Sequence, residues 1–449
     1  TTEIYTLSLH DALPISQNLR ALNLAAFEMV DYVIIDKEST PLNNLKILQP
    51  NFFAKGFEYT SKGMPQATHN EMKIIKKYGG EMIFTPGDVV FSSSKFLDYN
   101  LPKLNIEKLL LLMEHNRVTF DSLKKSLKSL SKFSVHVVGD TIIDSYTRTS
   151  LIGGQTKTPT LSVLYQNMDN YIGGAGIVAQ HLKAAGANVI FSTVLGDDSF
   201  KDYVKQSFKN TGIKLNAIID KTRPTTNKNV VVAGGYKLLK IDKLNNTPIS
   251  FEIANKISNL IKKTETSCTI FSDFRHGIFN QSTIPNLTKA INQKTFKVAD
   301  SQVATRWGNI SDFKGFDLLT PNEREARFAL ADQDSNIGKL SRKLRDVTGF
   351  KNLILKLGER GVLCCGKEDT GEAFNIDTFA TSVVDAVGAG DALLAYSTLV
   401  FLKTKSLLLA GIIGSIAASC ECEIDGNIPI ETKSVLDKIN QVEKIAKYK

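Results

Sequence analysis

Short apolar runs alternate with stretches of helical periodicity along most of the chain. From Ser134 onward, six of these runs are compact and strongly hydrophobic, which is typical of core strands: Val135–Asp140, Val189–Leu195, Cys268–Asp273, Phe296–Asp300, Asp317–Thr320 and Leu353–Lys356. Strands that alternate with helices indicate a parallel sheet covered by helices, so the pattern predicts an α/β fold. Two other β-rich segments, Thr158–Gln166 and Asn229–Asp242, flank a predicted glycine loop at Gly173–Gly176. They suit a small flap of strands beside the main sheet.

The first part of the chain has its own alternating pattern. It predicts a helix over Leu19–Val30, a strand at Tyr32–Ile35, a helix over Leu42–Leu48, a strand at Phe52–Ala54, a helix over Glu71–Tyr78 and a strand at Glu81–Thr85. A lysine-rich stretch with leucines at helical spacing follows, and it predicts one or two connecting helices. Residues 1–16 show no clear period and resemble a translated sequencing adapter. We therefore expect an artefact at 1–16, a small α/β domain at 17–98, a helical linker at 99–132 and a larger domain at 133–449.

Composition narrows the class of protein without naming a ligand. A length of 449 residues suggests two or three domains, and 42% hydrophobic with 22% charged residues fits large cores. The net charge of +9 suits anionic ligands such as nucleotides or sugar phosphates, although dispersed surface lysines are an equally good explanation. Five cysteines without a paired CxxC set argue against a zinc ribbon and favour a reducing cytosol. The longest apolar run, Ser406–Cys420, is shorter than a bilayer span, so we predict no membrane segment.

The segment from Val383 to Ala395 carries the clearest chemistry. A short apolar strand runs into the glycine-rich turn Gly388-Ala389-Gly390, and a strongly helical apolar run follows. Free backbone N–H groups and the positive end of the helix dipole make such a turn an anion site. Asp391 would lie in the first helical turn beside that anion, where a carboxylate can accept the proton of a hydroxyl that attacks a phosphoryl group. The alternative is an ordinary helix start with an acidic residue that complements the dipole.

This segment resembles the signature of the ribokinase-like (PfkB) carbohydrate kinases, roughly DTxGAGD, with Ala386 and Val387 at the variable places. The resemblance implies a ribokinase-like three-layer sandwich with a small β flap. It implies that Asp391 is the catalytic base, that Gly388, Ala389 and Gly390 form the anion hole, and that the enzyme uses ATP and Mg²⁺. A Walker-type GxxxxGK[ST] motif is absent from the sequence, as expected for that family.

Other motifs match the family in chain order. On the sugar side, the resemblance implies substrate contacts at Asp140 and Asp144 after the first strand, at Gly173 and Gly174 of a GGAxN motif, and at the strand-end Asp273. The asparagine of GGAxN is replaced by Ile177, whose side chain cannot hydrogen-bond a hydroxyl, so the sugar contacts must differ. Arg148, Arg275 and His276 are candidates for a substrate phosphate or are structural side chains.

On the nucleotide side, the resemblance implies cofactor contacts at Asn322, Lys356, Gly358, Gly361 and Asp385. Asn322 and Glu325 form an NxxE motif, and Glu325 would help to organise magnesium.

The small N-terminal domain resembles the later half of a Rossmann-like, cytidylyltransferase-like nucleotidyltransferase. Lys55 and the serine turn at Phe91–Ser94 are the positions that would hold nucleotide phosphates, but the HxGH motif expected upstream is absent from the sequence. We therefore expect a truncated, inactive transferase domain. The combination resembles bifunctional heptose-phosphate kinase/nucleotidyltransferases, so a heptose phosphate in nucleotide-heptose biosynthesis is a candidate substrate.

Three functions stay open at this point. The first is a cytoplasmic ATP-dependent kinase that acts on a sugar or sugar phosphate, with no nucleic-acid or membrane partner and with a homodimer as its possible assembly. The second is a nucleotidyltransferase whose kinase half is a passenger. The third is a non-catalytic sugar- or nucleotide-binding protein, an alternative that Ile177 supports.

Overall fold

The computed structural model describes residues 4–7, 17–27, 30–36, 38, 40–56, 66–85, 106–152, 161–302, 308–366 and 373–447. The chain divides into two compact units, Thr1–Leu101 and Pro102–Lys449, and each is described by itself.

The first unit contains small parallel strand pairs and helices. Its described elements are β1 Ile4–Leu7, α1 Gln17–Ala25, β2 Tyr32–Ile35, α2 Leu42–Leu48, β3 Phe52–Gly56, α3 Gln66–Lys77 and β4 Glu81–Thr85. Strand β1 pairs with β2 and β3 with β4, both in parallel. The elements predicted from Leu19 to Thr85 are confirmed in type and order, although α3 begins five residues earlier than its apolar pattern suggested. The predicted serine turn at Phe91–Ser94 and most of residues 1–16 lie outside the described residues.

The second unit is an α/β sandwich with a separate small sheet. Its helices are α4 Ile106–His115, α5 Phe120–Ser126, α6 Ala175–Ala184, α7 Ser199–Phe208, α8 Phe251–Lys263, α9 Thr283–Ala290, α10 Glu323–Leu330, α11 Ile337–Thr348, α12 Ala389–Thr404, α13 Leu407–Cys422 and α14 Thr432–Lys447. Its strands are β5 Ser134–Gly139, β6 Thr141–Leu151, β7 Val163–Gly174, β8 Asn188–Leu195, β9 Lys214–Ile219, β10 Thr226–Ala233, β11 Tyr236–Lys243, β12 Cys268–Asp273, β13 Phe296–Ser301, β14 Leu318–Leu319, β15 Asn352–Lys356, β16 Val362–Cys365 and β17 Ala373–Ile376.

Nine strands of the described residues form the main sheet, in the order β17-β16-β15-β14-β13-β12-β5-β8-β9. The seven strands from β15 to β9 are parallel, and β16 and β17 extend the edge in antiparallel pairing. All six predicted core strands belong to the parallel part. In such a sheet the carboxyl ends of the strands share one edge, where ligands bind in open α/β folds.

Alternate side chains of the sheet enter two separate cores, which explains the near-continuous apolar strands. Val137 and Ile270 pack on one face with α6, α12 and α13. Val138 and Phe271 pack on the other face with α8 and α9, where four phenylalanine rings contact each other. The three-layer, ribokinase-like sandwich expected from the sequence is therefore confirmed.

The small sheet has the strand order β11-β10-β6-β7 and corresponds to the predicted flap. It is larger than predicted, because β6 and the whole of β7 join it. The predicted loop at Gly173–Gly176 is wrong: Gly173 and Gly174 end β7, and Ala175 begins α6 without an intervening loop. Gly174 has φ +61° and lies against the Asp140 carbonyl, so only glycine fits this abrupt change from strand to helix.

The lysine-rich segment before the sandwich forms α4 and α5, which belong to the second unit. Both contact the C-terminal helix α14, and Lys124 of α5 pairs with Glu443 at 2.5 Å. Among the described residues, no helix combines the length and the apolar character needed to cross a bilayer.

Candidate active site

The glycine turn opens α12 as predicted. Gly388 is the residue before the helix, with φ +85°, and the helix begins at Ala389. The N–H groups of a first helical turn have no carbonyl partner within the helix, so this turn presents donors to an anion. Positive φ explains the glycine at 388, since a side chain there would be strained.

Asp391 lies in the first turn of α12 with only 6% of its surface exposed. Its Oδ1 has no hydrogen-bond partner among the described residues. Burial raises the pKa of Asp391 well above its usual range, the nearby Asp300 carboxylate raises it further, and Lys356 opposes both. The carboxyl group of Asp391 therefore lies near the charges of Asp300 and Lys356, and its raised pKa makes the ionised form a stronger base than an exposed aspartate.

Lys356 connects the turn to the end of the sheet. Its Nζ lies 3.1 Å from both carboxylate oxygens of Asp300, which is the penultimate residue of β13. The same ammonium lies 3.2 Å from the point where a Cβ would stand at Gly390. Burial alone would lower the pKa of Lys356, but Asp300 and Glu325 raise it overall, so the lysine stays charged. A fixed cation thus stands beside the glycine turn, where it can bind phosphate.

Asn322 and Glu325 form a reciprocal cap at the start of α10. The Asn322 N–H donates to Glu325 Oε2 and the Asn322 Nδ2 to Oε1, each at 2.6 Å, while the Glu325 N–H donates to Asn322 Oδ1 at 2.8 Å. Burial raises the pKa of Glu325 to about 7, against the lowering effect of Lys356. The NxxE spacing is thus explained by a cap, and the pair also lies next to the Lys356 cation.

A cavity of about 710 Å³ opens beside these groups and is lined by Asn322, Arg324, Phe328, Lys356 and Gly358. Gly358 has φ +63° and no atom within 4 Å of the position of a Cβ, so its backbone is open to this space. Gly361 differs, because a Cβ there would lie 2.0 Å from the Ile376 carbonyl oxygen. Its glycine is required by the close approach of β17, whether or not a nucleotide contacts it.

Asp385 is held at the start of the motif by three contacts. Its Oδ1 accepts the Val387 N–H at 3.1 Å, its Oδ2 accepts the Tyr146 hydroxyl at 3.4 Å, and Lys237 Nζ lies 3.5 Å away. Tyr146 and Lys237 belong to the flap, so the flap contacts the segment that precedes the glycine turn.

Asp144 is a further candidate sugar ligand, and its Oδ2 accepts a hydrogen bond from Asn427 Nδ2 at 3.4 Å. It lies on β6 of the flap beside Gly173, whose α-carbon has no room for a side chain because a Cβ would lie 2.0 Å from Asp144 Oδ2. Burial raises the pKa of Asp144, and the neighbouring Lys228 ammonium, paired in register on β10, lowers it. Ile177, which stands in the place of the motif's asparagine, is fully buried in α6.

Asp140 and Asp273 hold the turn that follows β12. Asp140 Oδ2 accepts the N–H groups of Phe274 and His276 at 3.0 and 3.2 Å. Asp273 accepts the Arg275 N–H, the Ser301 hydroxyl and the Asn309 amide. Burial and the nearby Asp140 raise the pKa of Asp273 to about 7. Their carboxylates are engaged in protein contacts, and their roles as sugar ligands stay predictions.

The three basic candidates for a substrate phosphate also have protein partners. Arg148 Nε bonds Asp169 at 2.8 Å and Arg275 Nη1 bonds the Phe279 carbonyl at 3.2 Å. His276 Nδ1 bonds Asn246, and burial lowers the pKa of His276 to about 3, so it is neutral.

Four residues near the site escaped sequence reasoning: Asp300, Lys228, Glu421 and Asn427. Asp300 was included in a predicted strand, and its position at a strand end was the available signal. The others lie in segments without a motif, and only the fold brings them to the turn.

The described carboxylates fit a magnesium ion held mainly by phosphate and water. No three His, Cys, Asp or Glu side chains converge as metal ligands in the described part of the chain. Asp300 and Glu325 are the carboxylates that flank Lys356, and Mg²⁺ commonly takes one or two carboxylates and several waters.

A family model and several known proteins match this chain. The family model described as pfkB family carbohydrate kinase matches residues 132–433. The chain is 29% identical over 268 residues to the bifunctional protein HldE of Trichlorobacter lovleyi, covering 58% of this chain and 53% of that protein. It is 27% identical over 314 residues to the HldE of a Nitratiruptor species, covering 69% and 64%. The chain thus spans only about half to two thirds of the length of these relatives.

Solved structures show the same fold at low identity. The ribokinase of Arabidopsis thaliana, complexed with ribose and ATP, has a TM-score of 0.55 at 17% identity and covers 68% of this chain and 98% of its own. The phosphofructokinase-2 of Escherichia coli in complex with fructose-6-phosphate has a TM-score of 0.57 at 14% identity and covers 69% and 99%. The family match extends over about two thirds of the sequence and includes the glycine turn with Asp391, and the chain therefore belongs to the pfkB family of carbohydrate kinases.

Proposed function

We propose that this carbohydrate kinase transfers the γ-phosphoryl group of ATP to a hydroxyl of a sugar phosphate, with Asp391 as the base. The observation that carries the proposal is a buried carboxylate, with one unpaired oxygen, on the first turn of α12 beside the donors of the glycine turn. Phosphoryl transfer needs mainly positioning and charge stabilisation, and both are supported by this arrangement.

In the proposed step the acceptor oxygen bonds to the γ-phosphorus while the bond from that phosphorus to the bridging oxygen of ADP breaks. The hydroxyl proton passes to Asp391. The N–H groups of Gly388, Ala389 and Gly390 and the Lys356 ammonium bind the charge on the transferred group. Glu325 and Asp300 would hold Mg²⁺, whose charge would neutralise phosphate charge when the ion is bound. Asn322, Gly358, Gly361 and Asp385 border the nucleotide in this proposal.

The sugar would bind between the flap and the carboxyl ends of the strands, with Asp144, Gly173 and Gly174 as its nearest contacts and Asp140 and Asp273 behind them. Lys228, beside Asp144, supports a substrate that itself carries a phosphate. The resemblance to bifunctional proteins favours a heptose phosphate in nucleotide-heptose biosynthesis as the substrate class.

Asp391→Asn tests the assignment. We expect kcat to fall by about 10²–10⁴-fold because the proton acceptor is lost, while ATP affinity stays nearly unchanged. Turnover is measured as ADP release over a panel of pentoses, hexoses and heptose phosphates, and ATP binding by calorimetry. Asp346→Asn, an exposed aspartate on α11, is the matched control. Wild-type turnover by Asp391→Asn would refute the role of this carboxylate.

We also propose a homodimer formed by the flaps. Leu164, Met168, Leu239 and Ile241 are large apolar side chains of the flap that are 42–59% exposed. Light scattering on the wild-type protein and on Leu164→Lys would test it, since a charge at this surface should yield monomers. The five free cysteines support a reducing, cytosolic location.

A further inference from the structure

Glu421 and Asn427 form a buried polar pair behind the glycine turn. Glu421 lies near the end of α13 and is 1% exposed, and Asn427 lies in the segment that follows and is 6% exposed. A Cβ at Gly388 would lie 2.5 Å from Asn427 Oδ1 and 2.8 Å from Glu421 Oε1, so the two oxygens face the same small space. The pair therefore lies directly against the turn that is proposed to bind phosphate.

The hydrogen bonding of Asn427 is incomplete in a specific way. Its Nδ2 donates to Asp144 Oδ2 at 3.4 Å, which links it to the candidate sugar ligand. Its Oδ1 has no hydrogen-bond partner among the described residues. The carboxyl oxygens of Glu421 have none of normal geometry, although the Ile428 N–H is close enough to influence the carboxyl group. A buried carbonyl oxygen without a donor costs free energy, and a carboxylate beside it would worsen the mismatch. A neutral carboxyl group at Glu421 supplies the missing donor.

We propose that Glu421 is a positioning residue that, as a neutral acid, donates a hydrogen bond to Asn427 Oδ1 and so fixes the Asn427 amide against the sugar ligand Asp144. The inference deepens the proposed function and rests on it for the role of Asp144. Asn427, in the segment after α13, would then supply beside Asp144 the amide that the buried apolar side chain of Ile177 cannot supply.

Protonation of Glu421 is favoured by its surroundings. Burial raises the pKa of Glu421 to about 8, the Asp385 carboxylate raises it further, and the backbone N–H of Ile428 lowers it. The titratable groups that share an electrostatic interaction with Glu421 are Asp385, Asp391, Cys420 and Cys422. Above the pKa of Glu421 the donor is lost, and Asn427 is no longer held.

The experiment compares wild type with Glu421→Gln and Glu421→Leu. The glutamine amide keeps a donor at every pH, so Glu421→Gln should bind sugar normally at pH 7. It should also lack the rise in sugar KM that we expect of wild type as pH passes about 8. Leucine has no donor, so Glu421→Leu should raise the KM for sugar about five- to tenfold and leave the KM for ATP unchanged. Glu252→Gln, an exposed glutamate on α8, is the matched control.

A second measurement does not need enzyme activity. The folded protein holds the Glu421 proton to a higher pH than the unfolded chain, so wild type loses stability relative to Glu421→Gln as pH rises from about 5 to 8. A Tm difference between the two that does not change with pH would overturn the neutral donor, even if no acceptor sugar is found. Once an acceptor sugar is identified, equal sugar KM values for Glu421→Leu and wild type would overturn the positioning role. Failure of the proposed base would appear only in Asp391→Asn, so the two results can be distinguished.

Discussion

A comparison of Gly388→Ala with a glycine variant far from the site distinguishes the cost of backbone strain from damage to the phosphate site. Gly388 has φ +85°, and a non-glycine residue in left-handed conformation costs about 1–2 kcal/mol. An added methyl group would also lie 2.5 Å from Asn427 Oδ1 and 2.8 Å from Glu421 Oε1, closer than real contacts allow, so the turn must shift. We expect a loss of about 2–4 kcal/mol of unfolding free energy, the strain together with the displaced buried pair.

The effect on catalysis should be larger than the effect on stability. Loss of one preorganised donor to a developing negative charge costs about 10²–10³ in kcat, and movement of the turn displaces the N–H groups that follow it. Gly349→Ala is the matched control, because Gly349 ends α11 with φ +64° and has no atom within 4 Å of the position of its Cβ.

The assay is steady-state ADP release at saturating ATP and sugar, with chemical unfolding of the same preparations. Gly349→Ala should lose about 1–2 kcal/mol of stability and keep its kcat. If Gly388→Ala retains a kcat within about threefold of Gly349→Ala, the N–H groups of this turn do not hold the transferred phosphate.

Two further changes test the charges at the end of the sheet. Lys356→Met should weaken ATP binding, and it should lower the unfolding free energy by about 3–5 kcal/mol because Asp300 and Glu325 are left buried beside an uncharged side chain. Calorimetry measures the first effect and urea unfolding the second. An unchanged ATP affinity would contradict a phosphate role for Lys356. Asp273→Asn should alter the pH dependence of stability. The pKa of Asp273 in the folded protein is raised to about 7, so wild type loses stability as pH rises from about 4 to 7. The variant should lack this contribution. Tm values measured across that range check it, and parallel curves would show that Asp273 does not retain its proton.

The architecture was largely predictable because it depends on local patterns. Each core strand is a compact apolar run whose alternate side chains enter the two cores, so the strand positions followed from the local hydrophobic pattern. The glycine turn was found because its glycines, its aspartate and the following helix are contiguous. The flap was only partly predicted, since β7 mixes polar and apolar residues on an exposed sheet and its register is set by pairing with β6.

The remaining part of the site depends on contacts between distant segments. Glu421 and Asn427 carry no motif, and their approach to Gly388 results from the packing of α13 against α12. The family resemblance implied Asp140 and Asp273 as sugar ligands. A strand-end carboxylate can equally accept the N–H groups of the next turn, and here both do so. Gly173 and Gly174 were predicted to lie in a loop, whereas here they complete β7.

The contacts of Asp385 with Tyr146 and Lys237 have a kinetic consequence. Tyr146 and Lys237 of the flap contact Asp385 in the segment that leads into the glycine turn. A change in the position of the flap would therefore change the geometry of the turn. Any displacement of the flap that separates Tyr146 and Lys237 from Asp385 would remove this support from the segment that leads to the phosphate donors. In a flap position without these contacts, phosphoryl transfer to any acceptor, water included, would be slower than in the position described here.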